Sequence, residues 1–483
     1  MAEQPQPLLQ TENPESSGLQ RWVMICVMLG TGTVSINNSS FNPAIPQLMH
    51  DFQINETAVS WVMVIFLLSM SLSLLLTGYV SQRFGKRQVY LTALIVFGLS
   101  SLYGAFAGHF GTVLLVRALQ GFSSGLMIPL SLGIIFMVTP PAQRGAATGL
   151  WGAMIMLTLA CGPMLGALVL VWWNWQVLFL LNVPLAICAL VMGLRWLPSQ
   201  QTNLRLLRFD WSGFVLLAVG IVALLLSLSK IQQLSDIQTS EFLLLFSTGI
   251  AACGGFFWFS RNKPNALIDW QLFTSSGFNY SVIISVVHTI GLFITLLLIP
   301  LLLQNTLKLS PVWTGLILMS SALTTSLCSQ WAGKYLDQHG ARQLICFGLL
   351  LTVAAFAGLA LIPGTHVISL MFCMILHGLG FGLSYMPATT AGLNSLEDQE
   401  LVTQGAAVNN LLRRICAAIA VVVAALYLQI RTHNIPYSPE LAIAQIHAIR
   451  ELFLICAGVM LLALPAAWKF PSQKQADVLV QNQ

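Results

Sequence analysis

Fourteen stretches of about 18–25 residues, each apolar and almost uncharged, constrain this chain more than any other feature. As a helix, each is long enough to cross about 30 Å of hydrocarbon. The approximate spans are 22–48, 58–80, 88–107, 112–138, 148–171, 176–197, 211–229, 241–259, 279–303, 312–332, 343–362, 366–392, 405–430 and 449–468. Barrel strands need only about 10 alternating residues, so an all-helical membrane fold is expected. Composition agrees, because 56% of the 483 residues are apolar and 8% are charged, too few to cover a soluble surface. The expected interior carries Arg117, Arg413, Arg414, His288 and His377 but no carboxylate. The nearest acids, Asp51, Glu56, Asp210, Glu241 and Glu451, are expected at span ends. An ionisable residue inside a membrane is expensive and points to function.

The first ~20 residues are polar and lack the basic-then-apolar order of a cleaved signal peptide, so residues 1–21 read as a cytoplasmic tail. Nine scattered cysteines without a CxxC pair read as packing residues. With the amino terminus inside, inner loops and tails hold fourteen Lys and Arg against four outside. The four are Lys230, Lys308, Arg431 and Arg450. That asymmetry places both termini in the cytoplasm.

The chain repeats itself at a lag of about 255 residues. Leu119-Gln120-Gly121-x3-Gly125-Leu126 recurs as Leu376-His377-Gly378-x3-Gly382-Leu383, and Pro129 recurs as Pro387. Gly145-Ala146-Ala147 recurs as Gly405-Ala406-Ala407, Gly78 and Gly85 recur as Gly333 and Gly340, and Pro46 recurs as Pro300. Matches in one order at lags of 254–260 imply a duplicated six-helix unit. The expected organisation is an N-terminal bundle at 22–198, a linker with two extra spans at 199–278, a C-terminal bundle at 279–470 and a cytoplasmic tail at 471–483. Parallel repeats of this kind place a substrate site between the halves, near the midplane.

With these motifs in hand, the chain resembles the major facilitator superfamily, in particular the fourteen-span drug:proton antiporters. The resemblance covers nearly the whole chain. Gly78-x3-Gln82-Arg83-Phe-Gly85-Lys86-Arg87 is similar to the superfamily's loop after span two, with Gln82 where an aspartate is usual. The second copy, Gly333-x3-Asp337-x2-Gly340-Ala-Arg342, keeps the acid. Arg117-x2-Gln120-Gly121 looks like the span-four motif, and Gly162-Pro163-x2-Gly166 like the span-five antiporter motif. Trp175-x3-Phe179-x2-Asn182-Val-Pro184 and Asn410-x2-Arg413 are similar to signatures of the fourteen-span group.

The glycines of the first loop are expected to serve a tight turn, and Arg83, Lys86 and Arg87 to face acidic lipid and helix carboxyl ends. The resemblance adds a latch between helices that locks one state. Gly162-Pro163-x2-Gly166 is expected to kink its helix and allow close approach; the resemblance implies a bend that seals the contact between halves. Arg117 either snorkels outward or turns inward, and its motif favours the interior. The resemblance assigns this arginine to proton coupling with a span-one aspartate. The chain departs there: Asn37 stands in the aspartate's place, followed by Asn42, and asparagine does not titrate. His288 and His377 remain as titrating groups, whether they pack or relay protons. Arg413 is expected to face the cavity and Arg414 to point about 100° away.

The expected function is a secondary active transporter of a bacterial inner membrane, with proton-coupled efflux of drugs or other small organic molecules by alternating access. Buried arginines without a carboxylate favour anionic or neutral substrates over cations. Export of an endogenous metabolite such as a siderophore, and import of an anion, stay open. An enzyme is not expected, since the longest stretch between spans is about twenty residues. The chain has no nucleotide-binding loop, and no cofactor, metal or nucleic-acid partner is expected. Protons, membrane lipid and a small-molecule substrate are the expected partners; the resemblance adds a periplasmic adaptor and an outer-membrane channel.

Overall fold

In the computed structural model, residues 14–140, 144–198, 209–231, 236, 238–261, 263, 267–361, 367–396, 399–432 and 439–470 are described. Residues 1–13 and 471–483, the 199–208 linker with Arg205 and Arg208, and the side chains of Lys334 and Asp337 lie outside the described residues, while residues 14–21, expected in the N-terminal tail, already belong to the first helix. Every regular element among the described residues is helical. The helices are α1 (Pro14–Ser40), α2 (Ile45–Phe52), α3 (Glu56–Phe84), α4 (Lys86–Gly104), α5 (Phe110–Val138), α6 (Arg144–Trp172), α7 (Gln176–Leu180) and α8 (Asn182–Trp196). Next come α9 (Trp211–Ser229), α10 (Ser240–Ser260), α11 (Ser276–Pro300), α12 (Pro311–His339), α13 (Arg342–Leu361), α14 (Val367–Asn394), α15 (Gln399–Thr432) and α16 (Pro439–Trp468). Because α2 continues α1 and α7 continues into α8, these make fourteen crossings.

Thirteen of the crossings are long and apolar enough to span a membrane. The other is α4, whose first turn of Lys86, Arg87 and Gln88 dilutes its apolar run. The expected span at 176–197 is divided at Leu181 between α7 and α8. The first span is interrupted by a 3-10 turn at Asn42–Ala44, set by Pro43 and followed by Pro46. Its repeat partner ends in a π-helical turn, Leu301–Thr306, that begins right after Pro300. Both halves therefore break their first helix at the same end of the molecule. We call that the distal end, and the opposite end, where α1 starts and α16 finishes, the terminal end.

The last span corrects the sequence reading. It starts ten residues earlier than expected, at Pro439, because Leu441, Ile443 and Ile446 continue its apolar pattern. Arg450 and Glu451 thus lie within a helix rather than in a loop or at a span end. Glu451 is satisfied there by both Arg431 Nε (3.0 Å) and the Tyr427 hydroxyl (2.5 Å). Glu56 is likewise the first residue of α3, capped by Asn55, whose side chain accepts from the Ala58 N–H.

The repeated glycines are explained by close packing. A Cβ on Gly121 would sit 2.3 Å from the Phe66 carbonyl oxygen, and one on Gly125 2.3 Å from that of Met70, so α5 rests directly on α3. Their counterparts Gly378 and Gly382 press α14 against Ser321 and Thr325 of α12 in the same manner. In membranes, where lipid is as apolar as leucine, such small-residue contacts drive helix association. Gly85 and Gly340 take φ of 86° and 82°, the left-handed region that excludes most side chains, and turn the chain into α4 and α13. Gly78 and Gly333 do not share this role. They lie inside α3 and α12, and a Cβ on either would meet nothing within 4 Å.

The extra pair, α9 and α10, packs tightly on itself, with Gly220 against Cys253 and Gly249 against Leu224. From the pair, α9 touches both α3 and α15, so it lies along the line where the two halves meet. Its terminal end is fixed by Lys263, whose Nζ lies 2.7 Å from Asp210 Oδ1. Burial works against the Asp210 charge, but Lys263, the Gly213 N–H and the Ser212 hydroxyl together hold its carboxyl below the usual range.

Candidate functional site

Arg117 projects from the distal third of α5 into the first half and is 2% exposed. Its Nη1 donates to Asn37 Oδ1 at 2.8 Å and to Gln120 Oε1 at 3.2 Å, and its Nε donates to the Val62 carbonyl at 3.2 Å. The guanidinium also lies 4.2 Å from the Phe66 ring centre and 4.9 Å from that of Phe41. Hydrogen bonds to a charged group are worth about 1.5–3 kcal/mol each, and a desolvated cation–π contact adds up to ~2 kcal/mol. Together they match the several kcal/mol that burial of an ion costs. The cation is held without a carboxylate, so the inward orientation prevails over snorkelling.

The network extends further. Gln120 Nε2 donates to Ser101 Oγ at 2.9 Å, linking α5 to α4. Asn37 gives its oxygen to Arg117, which leaves its buried Nδ2 without an acceptor; the buried Nδ2 of Asn42 also has none. Asn42 itself sits in the 3-10 turn and does not join the Arg117 network. Behind Phe41 stands Phe179, at 4.5 Å, and then Trp175, which is anchored by its Nε1 bond to Asp51 Oδ2 at 3.0 Å. The Trp175 and Phe179 signature therefore supports one aromatic face of the arginine. Sequence reading missed Phe41, Phe66 and Ser101, because an aromatic or serine in an apolar run carries no signal of what it touches.

The second half carries the two histidines, both near the middle of their helices and both buried. His288 Nδ1 lies 3.0 Å from the Ile284 carbonyl and its Nε2 lies 2.7 Å from Ser384 Oγ. A carbonyl only accepts, so Nδ1 carries a hydrogen. Ser384 Oγ also lies 2.7 Å from the Gly380 carbonyl. Its one proton can point to Nε2, leaving the ring neutral, or to Gly380, leaving Nε2 free to donate. His288 can therefore gain a proton with no change in its partners. His377 is different: Nδ1 meets Ser321 Oγ at 2.9 Å, while its buried Nε2 has no partner. Phe381 lies against both rings, at 5.4 and 6.1 Å. Arg413, on α15, lies 5.0 Å from the Tyr385 ring and donates to Asn410 Oδ1 at 2.6 Å.

The conformational motifs divide between packing and turning. Gly162 and Gly166 face Ser39 and Ser40 of α1, inside the first half. The contact across to the second half is made by their neighbours: Gly315 of α12 packs on Ala167, on Met164 and on the Pro163 carbonyl. Around Gly85, Arg83 donates to the Tyr79 hydroxyl (2.6 Å), Lys86 lies along Gly133, and Arg87 donates to the Leu194 carbonyl (2.6 Å) near the end of α8. Arg342 lies over the Trp468 ring at 4.2 Å. Among the described residues, three hydrogen bonds join the halves at the distal end. Gln304 Nε2 donates to the Pro43 carbonyl (2.9 Å), Asn305 to Met49 Sδ (3.7 Å), and the Thr57 hydroxyl to Gln429 Oε1.

The family model for the Major Facilitator Superfamily matches residues 27–421 and 282–481. The chain is 25% identical over 405 residues to the multidrug export protein EmrB of Escherichia coli, covering 83% of this chain and 79% of that one. It is 28% identical over 402 residues to the uncharacterized MFS-type transporter YhcA of Bacillus subtilis, covering 82% and 74%. To the riboflavin transporter RibZ of Clostridioides difficile it is 25% identical over 386 residues, covering 79% and 82%. Among solved structures, the peptide transporter POT in complex with sulfate superimposes with a TM-score of 0.66 at 16% identity, covering 93% and 95%. The inward-open xylose transporter XylE of E. coli gives 0.63 at 14%, covering 95% and 99%. The repeat, the fourteen crossings and the matched family model lead to one conclusion: this chain is a multi-pass membrane transporter of the major facilitator superfamily.

Proposed function

We propose that the protein is a proton-coupled exporter of small organic molecules, working by alternating access and favouring anionic or neutral substrates over cations. The Arg117–Asn37 pair carries this reading. Where a cation exporter would offer a carboxylate, this chain offers a guanidinium and a buried amide donor without an acceptor. Residues 22–198 and 279–470 are the two moving bundles, with 199–278 as the connector. The excess of Lys and Arg in the loops at the terminal end supports a cytoplasmic position for that end, in a bacterial inner membrane. The hydrogen-bonded distal seam is then the closed periplasmic side. The likeness to EmrB supports export, and by the same analogy a periplasmic adaptor and outer-membrane channel.

Everted vesicles expressing the chain test the substrate class. Anionic or neutral compounds are expected to accumulate in a proton-dependent manner, faster than ethidium. Ethidium moving much faster than either would refute the reading.

Coupling is assigned to His288, because both of its ring nitrogens have partners in either protonation state. His288→Ala is expected to flatten the pH dependence of transport while the protein still inserts. His377→Ala is expected to weaken transport less. Full pH-dependent transport in both single variants and in the double variant would remove the histidines from the coupling step.

A further inference from the structure

We propose that Arg413 and Arg414 of α15 form a binding site for an oxyanion, a carboxylate or phosphate group. This deepens the substrate reading above and rests on it. Two cations on adjacent residues repel one another, and among the described residues no carboxylate pairs with either. Both Nε atoms are buried without an acceptor. A buried donor left unpaired costs about 1–3 kcal/mol, and more when charged. A tyrosine face and one amide oxygen, Tyr385 and Asn410, hold Arg413 in place but leave its Nε free. An oxyanion supplies what is missing: negative charge for the pair, and acceptors for guanidinium groups whose planar fork matches its geometry.

Position supports a ligand rather than a structural ion pair. Both arginines are half-buried. They lie 16 and 15 residues, about 22–24 Å of helix, on the terminal side of Gln429 in the distal seam. There α14 and α15 both pack on α11 but barely touch each other, so Arg413 bridges the gap between them to Tyr385. Tyr385 stacks on Phe381 at 4.7 Å, and Phe381 abuts His288. An anion at the arginine pair is thus two aromatic rings away from the proposed proton site. The sequence reading expected the two arginines to occupy different environments. What the two share is a buried Nε without an acceptor.

The same chemistry could come from a soluble anion or from a lipid headgroup, and the test separates them. The purified full-length protein in phosphatidylcholine nanodiscs is labelled with phenylglyoxal, and modification of each arginine is followed by mass spectrometry. Citrate is compared with chloride at equal ionic strength, and a second set of nanodiscs contains phosphatidylglycerol. Citrate is expected to slow labelling of Arg413 and Arg414 by about threefold at twice its dissociation constant, while exposed Arg83 is unaffected. Arg414→Gln is expected to abolish protection at Arg413. Arg413→Lys, which keeps the charge and fold, is expected to lose the selective protection of Arg414. Protection by phosphatidylglycerol alone, with no added effect of citrate, assigns the site to a headgroup. No protection by either, or equal protection of Arg83, overturns the proposal. Labelling requires no transport, so its failure is separate from a failure of the exporter reading.

Discussion

Replacing Arg117 with alanine is expected to lower the initial rate of transport by at least ~10-fold, the equivalent of about 1.4 kcal/mol, with the protein still inserted and monodisperse in detergent. The substitution removes one cation and leaves three acceptors without their donor: Asn37 Oδ1, Gln120 Oε1 and the Val62 carbonyl. It also empties the space between the Phe41 and Phe66 rings. These groups belong to α1, α3 and α5, so the loss loosens the contact of three helices beneath the distal seam. Arg117→Lys keeps the charge but cannot donate in three directions from one plane, and is expected to fall between alanine and the native protein. Asn37→Asp is the informative partner. It places a carboxylate 2.8 Å from the guanidinium, restores the acid usual in the resembling antiporters, and adds a titratable group. Transport is expected to persist, with ethidium entering the substrate range and a new acid limb in the pH profile. Rates in everted vesicles at matched expression decide this. An Arg117→Ala variant with native rates would show that the arginine is structural. An Asn37→Asp variant with unchanged selectivity would separate substrate charge from this position.

Much of this arrangement is legible in the sequence, for identifiable physical reasons. Helix spans announce themselves because the bilayer demands long apolar runs. The repeat is visible because glycines such as Gly121 and Gly378 face a neighbouring backbone at 2.2–2.3 Å from a would-be Cβ, where no larger residue fits. Gly85 and Gly340 stand out for a second reason, their left-handed backbone. Other features stay hidden. The start of α16 is hidden because Glu440, Gln445 and His447 dilute the apolar run of its first turns; Glu451, farther along, is satisfied by Arg431 and Tyr427 from the neighbouring helix. The seam residues Thr57, Gln304 and Gln429 look like any polar residues at span ends. Nothing local distinguishes His288 from His377 either. The difference is in their partners: His288 meets the Ile284 carbonyl and the Ser384 hydroxyl, whereas His377 meets only the Ser321 hydroxyl and keeps a bare Nε2.

Cross-linking the distal seam is expected to stop transport completely. Thr57 lies in the first turn of α3 in the first half and Gln429 in the last turn of α15 in the second, and their side chains share a hydrogen bond. If the halves rock about a central site, this pair must separate each time the distal end opens. The double variant Thr57→Cys with Gln429→Cys, oxidised in vesicles, is therefore expected to fall to the background of vesicles lacking the protein, and to recover on reduction. Each single cysteine variant is expected to keep its activity under oxidant, which accounts for the nine native cysteines. A second pair controls for rigidity. Thr306 and Gln445 share a 3.3 Å hydrogen bond at the same end but lie within the second half. Joining them by Thr306→Cys with Gln445→Cys is expected to leave transport largely intact, because a bundle that moves as a body does not separate its own helices. Transport that survives a cross-link between 57 and 429 verified by mass spectrometry would mean that the seam stays closed during turnover. The halves would then have to exchange substrate by a movement that leaves α3 and α15 in contact at their distal ends.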